Sequence, residues 1–268
     1  MRVRFTKMEG AGNDYVYVDA VSADPFPMAR APELARTWSD RHFGIGADGL
    51  IVLRRGDRAP LRMLMWNADG SRGSMCGNGL RCLARLAAEL GHVREVVFDV
   101  ETDSGDRRCE LLADGVRTSM GEVRCGAAVR VDVHGSALEL VPGDAGNPHA
   151  VAFVADVEHA DVAGIGAALQ AHHAFPGGVN VEFVQVAGRD TLVQRTFERG
   201  SGETLACGTG AAVAVVAARQ RGLVAGARVR VRLRGGALDV VGAGPALAIE
   251  GPARTVFRGE IEVPDSFR

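Results

Sequence analysis

Lysine is almost missing from this chain: of 31 lysines and arginines, Lys7 alone is a lysine. Schiff-base chemistry with pyridoxal phosphate requires a lysine amine. Lys7 falls in the opening strand, so that cofactor is excluded and none is expected. No apolar run reaches the roughly 18 residues of a membrane span, and the opening MRVRFTKMEGAGNDY lacks the continuous apolar core of an export signal. A soluble, cytoplasmic chain with no membrane partner is expected. The formal charge is −2, from interspersed acids and arginines with no basic stripe, so nucleic acid is not an expected partner. The five cysteines are an odd number in a chain without an export signal, which argues for free thiols over a disulfide framework.

What the chain does have is a cysteine in an unusual setting. In ERGSGETLACGTGAAVAVV, Cys207 stands between a glycine-rich turn and an apolar run of helical length. It is expected to cap a buried helix over 211–220. Open N–H groups and the helix dipole favour an anion at such an end, and the same field is expected to lower the thiol pKa. At 268 residues the chain buries roughly three quarters of its unfolded surface, enough for two modest domains.

The second setting of this kind lies 131 positions earlier, where CGNG at Cys76 matches CGTG at Cys207 and the helical LRCLARLAAEL follows. At the same offset Asn67 falls on Glu198, Ala68 on Arg199, LRMLMW on LVQRTF, and Gly49 on Asn180. At an offset of 134, AGNDYVYVD falls on AGNPHAVAFVAD. The expected architecture is α/β (α+β): two pseudo-symmetric domains of about 130 residues, each a set of β-strands wrapped around a central α-helix. The boundaries are placed at 1–125, with about 255–268 returning to the first domain, and at 126–254 for the second. A ligand site is expected in the cleft between them.

Two such thiols admit three uses: a redox disulfide, half of a metal site, or a pair of acid–base groups. Neither Cys76 nor Cys207 has a CxxC neighbour or a histidine at ligand spacing, so no metal is expected. His172 and His173 read as solvated residues on a surface helix. Cys82, Cys109 and Cys125 read as small core residues. A disulfide survives as an inactivated state. The acid–base use explains most: one thiolate removes a proton from one face of a carbon, a thiol supplies one to the other, and helix N–H donors stabilise the charge that develops.

KMEGAGNDY, RHFGIGADG, NADGS with MCGNGLRC, GNPHAV, GVNVEFV and ERGSGETLACGTGAAV, in this order, resemble the diaminopimelate epimerase family. The resemblance runs nearly the whole chain, to GPARTVF. It implies that family's fold, the interconversion of LL- and meso-diaminopimelate without cofactor or metal, and a homodimer. It implies that Cys76 is the proton donor and Cys207 the acceptor in the LL-to-meso direction, assisted by His149 and Glu198. It also implies substrate contacts from Asn13, Asn67, Asn147, Asn180, Glu198 and Arg199, with the N–H groups of Gly77, Asn78, Gly208 and Thr209 binding the reacting carboxylate. Gly49 departs from relatives that carry a glutamine there. The alternatives are another cofactor-independent racemase of the superfamily, acting on proline, hydroxyproline or histidine, and a non-catalytic thiol redox or binding module.

Overall fold

The computed structural model describes residues 1–263. The chain forms two compact units, Met1–Thr118 with the residues from Gly251 onward, and Ser119–Glu250. The sequence boundaries fell at 125 and about 255, and of the returning segment 264–268 lie outside the described residues.

In the first unit, β1 (Arg2–Gly10) and β2 (Asn13–Ala20) form a hairpin, and α1 (Ala31–Ser39) follows. The hairpin turn puts Ala11 and Gly12 at φ 55° and 83°, the two positive values that a tight hairpin requires. Then come β3 (Gly49–Arg55), β4 (Leu61–Asn67), β5 (Arg72–Gly73), α2 (Gly77–Glu89), β6 (Val97–Glu101), β7 (Arg107–Leu112) and β8 (Gly115–Glu122). β2 and β3 are parallel, β3 and β4 antiparallel, and β4 and β6 parallel.

The second unit repeats this course. It contains β9 (Arg124–Cys125), β10 (Val129–Val133), β11 (Ser136–Asp144), β12 (Pro148–Phe153), α3 (Val162–Gln170), β13 (Asn180–Gly188), β14 (Thr191–Glu198), β15 (Gly202–Thr204), α4 (Gly208–Gln220), β16 (Arg228–Leu233), β17 (Gly236–Val241) and β18 (Ala246–Gly251). β12 and β13 are parallel, β13 and β14 antiparallel, and β14 and β16 parallel. β19 (Arg254–Glu262) pairs with β1.

Period-2 alternation sorts side chains between two helices. On β2 and β3, Tyr15, Tyr17, Ile51 and Leu53 pack toward α2, while Val16, Val18, Leu50 and Val52 pack toward α1. Both faces are buried, so these strands read as nearly continuous apolar runs. The second unit is built alike: Ala150, Ala152, Val181 and Phe183 pack on the α3 side. α4 touches β9, β11, β12, β13, β14 and β17, and its stretch from Ala211 to Val215 is fully buried. Alanine and valine are the side chains small enough for a helix enclosed on so many sides. Each buried valine contributes roughly 1.5–3 kcal/mol, which outweighs the modest helix propensity of a β-branched residue.

The expected mixed α/β architecture, with strands around a central helix in each half, is therefore present. Both central helices begin three residues earlier than their apolar runs suggest, because the glycines after each cysteine form the first helical turn. His172 and His173 lie beyond the end of α3, which corrects their placement on a helix. Cys82 and Cys109 are core residues, but Cys125 is half-buried, with its Sγ 3.6 Å from the Val213 carbonyl.

Candidate active site

In the first unit Cys76 is the N-cap of α2, extended at φ −131° and ψ 121°, and its Sγ accepts the N–H of Gly79 at 3.4 Å. The same sulfur donates to Asn13 Oδ1 at 3.1 Å. Asn78 Nδ2 also donates to that oxygen at 3.4 Å, and Asn13 Nδ2 donates to Asp48 Oδ2 at 2.5 Å. Asn78 is in turn held by the fully buried Arg81, whose Nη2 donates to its Oδ1 at 2.6 Å. The Tyr15 hydroxyl sits beside Cys76 and Asn13; burial, then the neighbouring Cys76, pushes it well above the usual phenol value. Asn13, Cys76, Gly77 and Asn78 thus form one cluster at the positive end of α2. Asn67 stands at the end of β4, where its Nδ2 donates to Ser71 Oγ at 2.9 Å.

Gly49 pairs with Asn67 across β3 and β4. A Cβ there would press on the Trp66 carbonyl, come within 2.9 Å of Tyr15 and stand 3.2 Å from the Asn67 Cα. Close packing explains the glycine: no longer side chain fits this backbone.

In the second unit Cys207 caps α4 in the same way, at φ −123° and ψ 111°, accepting the N–H of Gly210 at 3.4 Å. Its Sγ lies 3.4 Å from Thr209 Oγ1. The helix end was expected to lower this thiol's pKa, and the structure corrects that. Burial, followed by the carboxylates of Glu198 and Glu182, pushes it well above the usual thiol value, and the bonds from Thr209 and Gly210 offset this only in part. Desolvation outweighs the dipole because Cys207 is 5 % exposed.

Behind Cys207 lies a pair of which only His149 is expected from the sequence. His149 Nδ1 is 2.8 Å from Glu182 Oε1, and both side chains are fully buried. His149 Nε2 is 2.9 Å from Asn147 Oδ1. One ring nitrogen thus faces the Glu182 carboxylate and the other the Asn147 side-chain oxygen. Asn180 braces two site segments, donating through Nδ2 to the Pro148 carbonyl at 3.0 Å and accepting the Arg199 N–H at 3.0 Å. Glu198 Oε1 accepts from Thr204 Oγ1 at 2.5 Å, while the exposed Arg199 reaches the Gly177 carbonyl.

Asn147, His149, Cys207, Gly208 and Thr209 therefore form the second cluster, with Glu198 near enough to act on the sulfur electrostatically. Glu182, Tyr15 and Arg81 join the clusters without having been singled out from the sequence. Glu182 lies in VNVEFV, which reads simply as a strand. The 131-residue offset sets it opposite Ile51, and that mismatch of polarity on a buried face is the signal that would have found it.

The unit is built twice, and each copy caps its central helix with a thiol ringed by amide, hydroxyl or carboxylate groups, a setting suited to proton transfer. Solved structures with this fold include a phenazine biosynthesis protein of the PhzF family from Bacillus anthracis, with TM-score 0.78 and 14 % identity over 98 % of this chain and 100 % of that one. A probable proline racemase from Agrobacterium radiobacter follows at TM-score 0.71 and 17 % identity, covering 98 % and 93 %. At such identities the likeness is one of fold. The family model for diaminopimelate epimerase matches residues 5–130 and 143–253. Curated diaminopimelate epimerases from Aromatoleum aromaticum and Leptospira biflexa are 43 % and 39 % identical, each covering 98 % of this chain and 100 % of its own length. The chain belongs to the diaminopimelate epimerase family.

Proposed function

We propose that the chain interconverts LL- and meso-diaminopimelate by a two-base transfer in which Cys76 and Cys207 act on one α-carbon. The carrying observation is the matched N-cap position of the two thiols within a repeated unit, in a chain of this family. One sulfur must be a thiolate and the other a thiol at the moment of reaction. In the LL-to-meso direction Cys207 takes the α-proton and Cys76 returns one to the opposite face; the reverse direction exchanges their roles.

The α-proton is weakly acidic, so charge developing on the adjacent carboxylate has to be met by donors already in place. The first-turn amides of Gly77 and Asn78, and of Gly208 and Thr209, supply them, reinforced by the helix dipoles. His149 and Glu198 assist at the second thiol. Asn13, Asn67, Asn147, Asn180, Glu198 and Arg199 fix the two-headed substrate, and polar groups left without partners by a shorter amino acid account for selectivity. No metal or organic cofactor takes part, and the working form is a cytoplasmic homodimer.

The test is release of the α-proton of LL-diaminopimelate to solvent in the absence of added cofactor. Release accompanied by appearance of the meso isomer supports the reading. Faster racemisation of proline or histidine than of diaminopimelate would replace it with another activity of the superfamily.

A further inference from the structure

Glu182 is a buried acid where the repeat has a hydrocarbon. A Cβ on Gly210 would stand 2.9 Å from Glu182 Cδ, and a Cβ on Gly79 would stand 2.6 Å from Ile51 Cδ1. The two side chains thus fill the same place against the first turn of α4 and α2. The register agrees, since Val151 pairs with Glu182 as Tyr17 pairs with Ile51. His149 likewise stands where the first unit has Tyr15. Ile51 and Tyr15 complete the first unit without a charge there, so packing does not account for an acid and an imidazole in the second.

What the substitutions accomplish is to assemble three ligand types. One ring nitrogen of His149, one carboxylate oxygen of Glu182 and Cys207 Sγ all lie within 4.8 Å of one another. They come from β12, β13 and the α4 N-cap, so no local spacing in the sequence reveals them. Glu182 Oε2 has no hydrogen-bond partner among the described residues, although its side chain is fully buried. An unsatisfied buried carboxylate oxygen is costly, and a cation would satisfy it.

We propose that Cys207 Sγ, His149 and Glu182 bind a thiophilic divalent cation of the zinc class, and that the bound ion blocks Cys207. Such ions take sulfur, nitrogen and oxygen ligands together, with metal–sulfur distances near about 2.3 Å and metal–nitrogen or metal–oxygen distances of about 2.0–2.1 Å. Tetrahedral geometry at those lengths sets the ligands about 3.3–3.6 Å apart. Reaching it takes a modest opening of the 2.8 Å His149–Glu182 contact and an approach of the sulfur by up to about 1.3 Å from within the 4.8 Å that bounds the group. The electrostatics favour it: Glu198 and Glu182 both face Cys207, and a cation offsets charge that burial leaves poorly solvated. Binding is an exchange with no redox step: the Cys207 thiol proton and the proton between His149 and Glu182 leave to solvent as metal–sulfur, metal–nitrogen and metal–oxygen bonds form.

The test uses Co2+ as the probe on reduced, metal-stripped full-length protein. A thiolate-to-cobalt charge-transfer band should appear at one ion per chain, and Zn2+ should displace the cobalt and abolish the band. Cys207→Ser should eliminate it, Cys76→Ser should retain it, and Glu182→Gln should weaken cobalt affinity by at least the roughly 10-fold that loss of even an outer-shell partner costs, with circular dichroism confirming that each variant is folded. Absence of the band in the wild-type protein, its survival in Cys207→Ser, its loss in Cys76→Ser, or unchanged affinity in Glu182→Gln would overturn the proposal. Binding is read without turnover; the inhibition expected to accompany it, reversed by chelator, rests on the proposed function. Failure of the cobalt titration alongside normal proton release would remove the metal site and leave the reaction intact.

Discussion

Cys76 and Cys207 are the same residue of one repeated design: each is the extended N-cap of its unit's central helix, and each sulfur accepts the N–H three residues on at 3.4 Å. Their surroundings then diverge. Cys76 is half-buried, beside Tyr15 and Asn13; Cys207 is buried, beside Thr209, with His149 and Glu182 behind it. The repeated unit thus places its two N-cap thiols in unlike environments.

The pH dependence follows from that difference. On the proposed two-thiol reaction, catalysis in either direction uses the pair with a single thiol ionised, so the kcat/KM profiles of the two directions should superimpose as one bell. Cys207 holds its proton above the ordinary thiol value of 9.0. Loss of the second thiol proton, which ends activity, should therefore fall on the alkaline side of that value. Initial rates measured from both epimers across the alkaline range check this; a descending limb below it would contradict the raised Cys207.

Glycine at the third helical residue is a packing requirement in both units. Gly210→Ala would drive a methyl group into the Glu182 carboxylate, and Gly79→Ala one into Ile51. Overpacking of this kind costs roughly 1–3 kcal/mol, which thermal denaturation can measure. Gly210→Ala should also lower activity more than Gly79→Ala, because displacing Glu182 disturbs His149.

The single lysine is committed to structure. Lys7 Nζ lies 2.5 Å from Asp14 Oδ2, with side chains 7 % and 16 % exposed, and also donates to the Gly46 carbonyl. Burial pushes the Asp14 carboxyl up, but bonds from Arg41 and Lys7 outweigh it and hold it below 3.8. A carboxyl depressed on folding contributes stability above its unfolded value, and that contribution is lost as pH falls through the folded one. Lys7→Met should therefore destabilise the protein by about 3 kcal/mol or less, Arg41 still pairing Asp14, and should move acid unfolding to higher pH. Urea titrations across the acid range check both effects.

Much of this was legible because the chain repeats itself. The 131-residue offset from Cys76 to Cys207 locates both central helices, and the strands declare themselves by apolar runs. Boundaries at the cysteines were misplaced because glycine-rich segments read as loops, whereas here glycine is what lets strand side chains pack against the first helical turn. The clusters around Asn13 and Asn147 were legible as motifs. Glu182 was not, since a lone acid in an apolar strand looks like an exposed position until the opposite helix is in place. The raised Cys207 thiol was also out of reach: local sequence reveals the helix end beneath the sulfur but not the carboxylates brought up beside it.

The most direct test of the two-thiol account is early turnover of LL-diaminopimelate in deuterium oxide. Two bases of opposite hand predict deuterium at the α-carbon of the meso product but not in recovered LL substrate, with the reaction abolished by Cys76→Ala and by Cys207→Ala. Deuterium entering recovered substrate as fast as product, or full turnover in either variant, would contradict it.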